Sequence, residues 1–443
     1  MADINDGLRI AGDVNLEKVE VISSNGRAVN ITKLVGEIQI FEDIFSPCIT
    51  GTIALADSMD LVNLFPFVGE EKLALKVKTP SMPDTPENVI DREFYIYKMT
   101  DRKIIGDRSV FYMLHFCSFE LVTDANVKLS KRYMGKISDI AATLIKKEGL
   151  NSKLNHQIET TVNSTAYVSN YWSPYKNLRY LVERAMNKHG AANFVFFENR
   201  RGINFLSFDS IFAENAKETY TFDTFSRTDK PNTTVRDPEK DFSRFLDYNI
   251  ETGFDYINRV TSGMYGSKII THDITTKKYT TKNYNMFTEW ENTNHLNKYP
   301  ISSTDTLVRT NSNIFSYPKY NSMFNGFADD GVQNWLQRRA SLMSQANAYR
   351  LTAEVAGRTD ITIGQVIFIQ LYKTQPVKKE DIDTDILDNM FSGRYVISAI
   401  NHRITRDKHE IHMECLKDSL LVDPKTGKKW NYILVVSKIA MIH

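Results

Sequence analysis

Residues able to do chemistry are plentiful in this chain, but their spacing rarely suits any known reaction. His409-Glu410-Ile411-His412 comes nearest to a metal-binding pattern. A helical His-Glu-x-x-His run puts both histidines on one face. Here the second histidine comes one residue early, and in a strand positions 409 and 412 point to opposite faces, so the two cannot share a metal. Asp381, Asp383 and Asp385 have the spacing that opens a calcium loop. The glycine expected next is Ile386, and the closing glutamate position holds Ser392, so a solvated acidic loop is the reading that fits. The three cysteines, Cys48, Cys117 and Cys415, lie far apart in apolar, strand-like text. Three buried free thiols are expected, with no disulfide framework and no zinc site. There is no G-x-S-x-G elbow, no phosphate-binding loop and no dinucleotide fingerprint. The expectation is a chain with no catalytic residues, no metal and no cofactor.

The elements that would have to position any such group are mostly strands. At 443 residues the chain has room for about three domains of ordinary size. A hydrophobic share of 42% and a charged share of 25% are those of a globular protein. Aromatics at 11%, with β-branched residues filling the strand-like runs, favour a mostly β chain. The net charge is +1, which leaves no domain-wide basic field to hold nucleic acid by counterion release. The N-terminus lacks a basic-then-apolar leader pattern. The longest apolar run, around Tyr432 to Val436, falls well short of the roughly 20 residues a spanning helix needs. These features predict a protein made and kept in a cytoplasm, with no membrane anchor of its own.

One plan of strands occurs twice. Residues 365–371 read as a strand and 373–392 as a polar loop. A hairpin follows, with arms at 393–403 and 409–416 turning near Arg406-Asp407-Lys408. Apolar residues alternate on both arms, as a half-buried antiparallel sheet requires. Near the other end, Gly69 leads into a strand at 73–77, a loop at 79–92 and a strand–turn–strand at 93–121, much as Gly364 opens the later copy. Two readings stay open: an internal duplication of a small β-barrel, or two hairpins that merely look alike.

In chain order, 15–24 and 28–42 read as paired strands joined at Ser24-Asn25-Gly26, with a third strand at 49–56. Phe65-Pro66-Phe67 forms an aromatic loop that is either core packing or an exposed docking surface. These three residues, with Trp430 and Tyr432 of a terminal strand at 430–440, are candidate subunit or partner contacts. A helix is expected at 137–148 with Gly149 as its cap, and another from Ser173-Pro174 to His189, stopped by Gly190. A hairpin at 194–198 and 203–208 follows. Strand-like text spans 245–282, a polar irregular stretch 283–330, and a helix 332–347.

The order of these parts resembles the baseplate hub of contractile-tailed bacteriophages of the T-even type, which is related to the hubs of type VI secretion spikes. The resemblance is carried by YWSPYKNLRYLVERAMNKHGAANFVFFENRRGINFLSFDSIF, by the helix 332–347 running into AYRLTAEVAG and DITIGQVIFIQL, and by SGRYVISAINHRI with its return strand HEIHMECL. It covers about half the chain. It implies a mostly β fold with α+β parts: two tail-tube-like antiparallel β-barrel modules, a small α+β domain and an irregular insertion. The division would be 1–125 for the first barrel, 126–215 for the α+β domain, 216–255 with 346–420 for the second barrel, and 256–345 with 421–443 for the insertion and extension. It implies a homotrimer whose pseudo-sixfold ring adapts a sixfold tail tube to a threefold spike and encloses the DNA channel. The partners would be a central spike protein, a tail tube protein or tube initiator, and other baseplate proteins. The location would be the virion tail baseplate. The competing readings are the hub of another contractile injection system and a tail-associated cell-wall hydrolase with its site in 126–215.

Overall fold

A computed structural model of the chain describes residues 11–64, 67–83, 85–105, 109–222, 242–274, 276–302, 309–319, 331–373 and 387–428. The first strands are β1 (Asn15–Ile22), β2 (Ala28–Asn30), β3 (Val35–Asp43), β4 (Thr50–Asp57), β5 (Lys72–Lys78), β6 (Val89–Ile105) and β7 (Ser109–Cys117). The middle of the chain gives β8 (Leu129–Lys136), β9 (His156–Ile158), β10 (Ser164–Trp172), β11 (Phe194–Asn199) and β12 (Gly202–Ser207). The later part gives β13 (Thr219–Thr221), β14 (Phe245–Thr252), β15 (Gly266–Asp273), β16 (Lys278–Asn285), β17 (Ile314–Lys319), β18 (Tyr349–Ala356), β19 (Val366–Gln370), β20 (Gly393–Ile404) and β21 (His409–Lys417). The fold is mostly antiparallel β with α+β parts, as the sequence leads one to expect.

Thirteen strands form one sheet. Its first half runs β3-β4-β7-β6-β5-β1 and its second half β14-β18-β21-β20-β19-β13. Matched in that order, the halves share two ladder irregularities, while β6 has one more between Thr100 and Lys103 and β14 one more between Ile250 and Thr252. The β6–β7 ladder slips between Ile96 and Lys98, and the β20–β21 ladder slips between Ile397 and Ala399. The β3–β4 ladder slips between Val35 and Glu37, and the β14–β18 ladder between Phe245 and Asp247. A bulge bends its strand and is set by position, so two coincident bulges argue for one plan used twice. Gly69 (φ +92°) and Gly364 (φ +81°) both take the left-handed conformation just before β5 and β19. The last pair departs from the plan: β1 runs antiparallel to β5, whereas β13 runs parallel to β19.

Each half rolls around its own core. The first gathers Val19, Ile38, Ile53, Leu75, Phe94, Leu114 and Phe116, and the second Val355, Ile369, Val396, Ile400, Met413 and Leu416. The halves join edge to edge, because the far end of β20 (399–404) pairs antiparallel with β3. Residue Ile404 of β20 thereby enters the first core. Buried on nearly its whole length, β20 lies between β3, β19 and β21, which explains its run of apolar residues.

Several local expectations need correction. The predicted hairpin of 15–24 with 28–42 is cut short: β2 pairs with β1 over three residues, a 3-10 turn at Thr32–Leu34 redirects the chain, and β3 pairs with β4 and β20 instead. The strand predicted to reach residue 121 ends at Cys117, where Ser118 starts the helix Phe119–Asn126. The strand predicted at 93–99 is far longer, since β6 begins at Val89 and extends to Ile105. The helix Pro174–Arg184 starts at Ser173 as expected, its Oγ accepting from Lys176 N at 3.4 Å. It stops five residues before His189, because Asn163 Nδ2 donates to Arg184 O at 2.7 Å and its Oδ1 accepts from Met186 N at 2.9 Å. Gly149 is no left-handed cap either (φ −115°): the helix Ile137–Thr143 widens into a π turn at Leu144–Glu148. The strand-like text of 245–282 breaks into β14, a short helix at Tyr256–Thr261, β15 and β16.

Buried polar contacts bolt the parts together. Glu198, at the end of β11, is fully buried against the first module. There it pairs with Arg92 Nη2 and accepts from Ser118 Oγ at 2.8 Å and Ile49 N at 3.4 Å. The insertion is fastened to the second module by Asn297, which exchanges hydrogen bonds with the Arg394 backbone at 3.0 and 3.2 Å. Nearby, His295 Nδ1 sits 2.7 Å from Asp418 Oδ2. Among the described residues no helix is long and apolar enough to cross a membrane.

Candidate functional site

The groups that sequence spacing singled out do not converge. His409 is fully buried, with Nε2 3.1 Å from His402 Nδ1, while His412 faces the other side and pairs with Glu354 at 3.1 Å. Among the described residues no three metal-binding side chains come together. Asp381, Asp383 and Asp385 lie outside the described residues, as do Phe65, Pro66, Trp430 and Tyr432. Phe67 is half-buried on the first core, its ring 6.4 Å from that of Tyr112 in an edge-on contact. The three cysteines are free and buried.

Buried carboxylates exist, but each holds structure together. Burial pushes Glu198 up to about 7 despite Arg92 beside it. It lies between two packed modules with its oxygens engaged. Asp209 binds Asn187 Nδ2 at 2.7 Å, His189 Nδ1 at 2.8 Å and Asn294 N at 2.6 Å, which joins the insertion to the middle domain. A concavity of about 1200 Å³ is walled by Trp172, Tyr180, Phe196 and Trp335. Two of its four cations are committed to that wall. The Arg184 guanidinium lies 3.7 Å from the Tyr180 ring, and Arg339 Nη1 donates to the carbonyls of Val182, Ala192 and Phe194 at 2.9–3.2 Å.

What the architecture does present is a seam and its missing counterpart. In the seam, Ala399 faces Asp43, Asn401 faces Phe41, Arg403 faces Gln39 and Ile404 faces Ile38. Ile38 and Ile404 are both fully buried. Next to them Arg403 Nη2 pairs with Glu37 Oε2 at 3.1 Å. Deeper in, Glu42 accepts from Thr362 Oγ1 and, at 3.4 Å, from Ile363 N, and sits 3.9 Å from His402 Nε2. Burial raises the Glu42 carboxyl and lowers both histidines, so in all three groups it works against the charged form.

The repeated plan gives β20 a counterpart in β6 and β3 a counterpart in β14. On β6, residues 89–95 pair with β5, and among the described residues the same edge beyond that carries no ladder. Residues 101–105 of this strand are all exposed, Ile104 at 80% and Ile105 at 55%. Among the described residues β14 pairs on one side only, with β18, and ends the sheet, with Leu246 53% exposed. An unpaired strand edge with exposed apolar residues is a ready template for another strand. Sequence reading missed this surface, although Ile104-Ile105 after a charged run was a usable signal.

No family model matches the chain. It is 22% identical over 431 residues to a probable baseplate hub protein of Vibrio phage KVP40, a match spanning 91% of this chain and 94% of that relative. Its fold is shared with a tail protein of Neisseria meningitidis MC58, at a TM-score of 0.50 and 10% identity over 90% of this chain and 96% of the other. It is shared too with the 43 kDa tail protein of prophage MuSo2 from Shewanella oneidensis, at 0.51 and 7% over 91% and 98%. Along nearly its whole length, then, the chain is similar in sequence to a phage baseplate hub protein, and it has the fold of phage tail proteins.

Proposed function

We propose that this chain is a structural baseplate hub of a contractile phage tail, a virion component with no enzymatic role. Three copies form a ring of pseudo-sixfold symmetry that adapts the sixfold tail tube to the threefold central spike and encloses the DNA channel. The observation that carries this reading is the use of one strand plan twice, with the same strand order and two coincident bulges, in two modules joined side by side. A sixfold tube and a threefold spike cannot meet through one identical contact per subunit. Two similar modules in each of three chains resolve the mismatch, since closed symmetry then offers six near-equivalent faces on one side and three on the other.

In this reading the modules are 1–125 and 216–255 with 346–420. The middle domain 126–215 and the insertion 256–345 with 421–443 decorate the ring, and the aromatic loop at Phe65-Pro66-Phe67 with Trp430 and Tyr432 meets subunits or partners. The partners are the spike, a tube protein or tube initiator, and other baseplate proteins. DNA passes without sequence-specific contact, which a net charge of +1 favours. Structural names borne by the similar proteins, and buried carboxylates committed to holding modules together, speak against the cell-wall hydrolase. Native mass spectrometry of the purified chain, alone and with its spike, tests the reading. A mass three times the 50.9 kDa of one chain supports it, and a lone chain in both samples refutes it.

A further inference from the structure

We propose that the free edge of β6, residues 98–105, pairs antiparallel with the free edge of β14, residues 245–252, in a second copy of this chain, in the register that β20 takes on β3. The proposal rests on the ring reading above and names the surfaces that close the ring.

The register follows from the shared plan. Lys103 stands opposite Phe111 on β7, and Arg403 stands opposite Glu410 on β21. Counted along β7 and β21 from the matched bulge, Phe111 lies five positions from Phe116 and Glu410 five from Cys415, which makes these two cations equivalent, and likewise Ile104 and Ile404; β6 carries one extra residue between Thr100 and Lys103 that β20 lacks. On the partner strand, Glu37 faces Ala54 and Asp247 faces Glu354, which makes these two carboxylates equivalent. By the same ladders Ile38 matches Tyr248, and Gln39 matches Asn249. Between copies, Lys103 then faces Asn249 and Ile104 faces Tyr248. Lys103 comes beside Asp247, as Arg403 comes beside Glu37 within the chain.

Three features fit that pairing. The intrachain seam has a cation–carboxylate pair at 3.1 Å, and the equivalent positions on the free edges again hold a cation and a carboxylate. The edges are complementary as wholes, since 98–105 carries Lys98, Arg102 and Lys103 against Asp101, whereas 245–252 carries Asp247 and Glu251 with no cation. Charges of opposite sign across a joint favour the correct register and steer encounter. Finally, Ile404 is fully buried in the next module's core while its equivalent Ile104 is 80% exposed. A second copy supplies the missing core. The double-width bulge between Thr100 and Lys103, with Asp101 at φ +56°, kinks β6 where the joint begins.

The test is oxidative cross-linking of the full-length Lys103→Cys/Asn249→Cys variant, beside a Lys103→Cys/Tyr171→Cys control whose second site is also exposed. Both engineered positions lie on exposed edges, so the fold is kept, and native mass is measured on every sample. The expected result is a covalent trimer as the main product of the edge pair, at least tenfold above the control. A native trimer with no such excess overturns the edge assignment and leaves the ring reading standing. A native monomer both alone and with the spike overturns both. As a second variant, Asp247→Lys weakens trimer formation and Asp247→Lys with Lys103→Glu restores it. Equal weakening in the single and double variants counts against the proposed register.

Discussion

The two modules use the same strands in the same order, yet one satisfies its edge within the chain and the other does not. At the seam, the far end of β20 lies on β3 and sends Ile404 into a core. At the other end, β6 continues past its last partner on that side and leaves Ile104 and Ile105 in solvent. Twin modules with unequal edges are what a protomer needs if its second seam forms only on assembly. The seam that is already made is also the more polar in its interior. Glu42, His402 and His409 are buried beside it, while on β14 Thr252 matches Phe41 and the next residue, in the place of Glu42, is Gly253.

The largest effect is expected where the seam is closed. Ile404→Asp places an unpaired charge in the first core and costs about 4 kcal/mol or more, enough to prevent folding. Ile104→Asp, at the equivalent exposed position, leaves the denaturation midpoint of the monomer unchanged and removes the trimer. Chemical denaturation with native mass on both variants checks the contrast, and equal loss of folding in the two would break it. Next comes Arg92→Ala, which strands the buried Glu198 carboxylate between the first module and the middle domain and costs about 3 kcal/mol. Its denaturation curve gives that value directly, and an unchanged midpoint would mean that Glu198 does not depend on Arg92.

Acid sharpens the comparison further. His409 is lowered from 6.5 to about 3 by burial, and His402 well below its ordinary value for the same reason. Below pH 6.5 the unfolded chain therefore takes up protons that the folded chain refuses, and stability falls as pH drops towards 3. Glu198 acts in the opposite sense. Raised to about 7, it takes a proton first in the folded chain and adds stability as pH falls from 7 towards 4.5. The His402→Asn/His409→Asn variant should lose less stability than the wild-type chain between pH 6.5 and 4, measured by urea denaturation at each pH. An equal loss would place the acid sensitivity elsewhere. The smallest effect is expected for Arg403→Ala. Its pair with Glu37 is exposed, so the denaturation midpoint barely moves. A large shift would mean that the seam depends on charge and not on buried Ile38 and Ile404.

Local signals in the sequence were read well. Ser173 with Pro174 marks a helix start because a hydroxyl and a missing N–H both suit that position. The β20–β21 hairpin shows in its alternation because one face of each arm meets the core. Features set by distant contacts were not legible. The end of the helix at Arg184 depends on Asn163, and the partner of β3 is β20, more than 350 residues away in the chain. The outer half of β6 has no alternation to read, because neither of its faces is yet covered. The candidate contacts chosen from sequence were aromatic, on the idea that exposed rings mark docking. The surface that the topology leaves open is instead a strand edge, and a strand becomes an edge only through the order of the whole sheet.

The central claim is that two similar modules per chain form a threefold ring with six lobes. Electron microscopy of the purified chain with its spike protein tests this most directly. The account predicts projections of threefold symmetry with six similar lobes around a central hole. Particles of a single chain, or a ring whose count of lobes is not twice its count of chains, would contradict it.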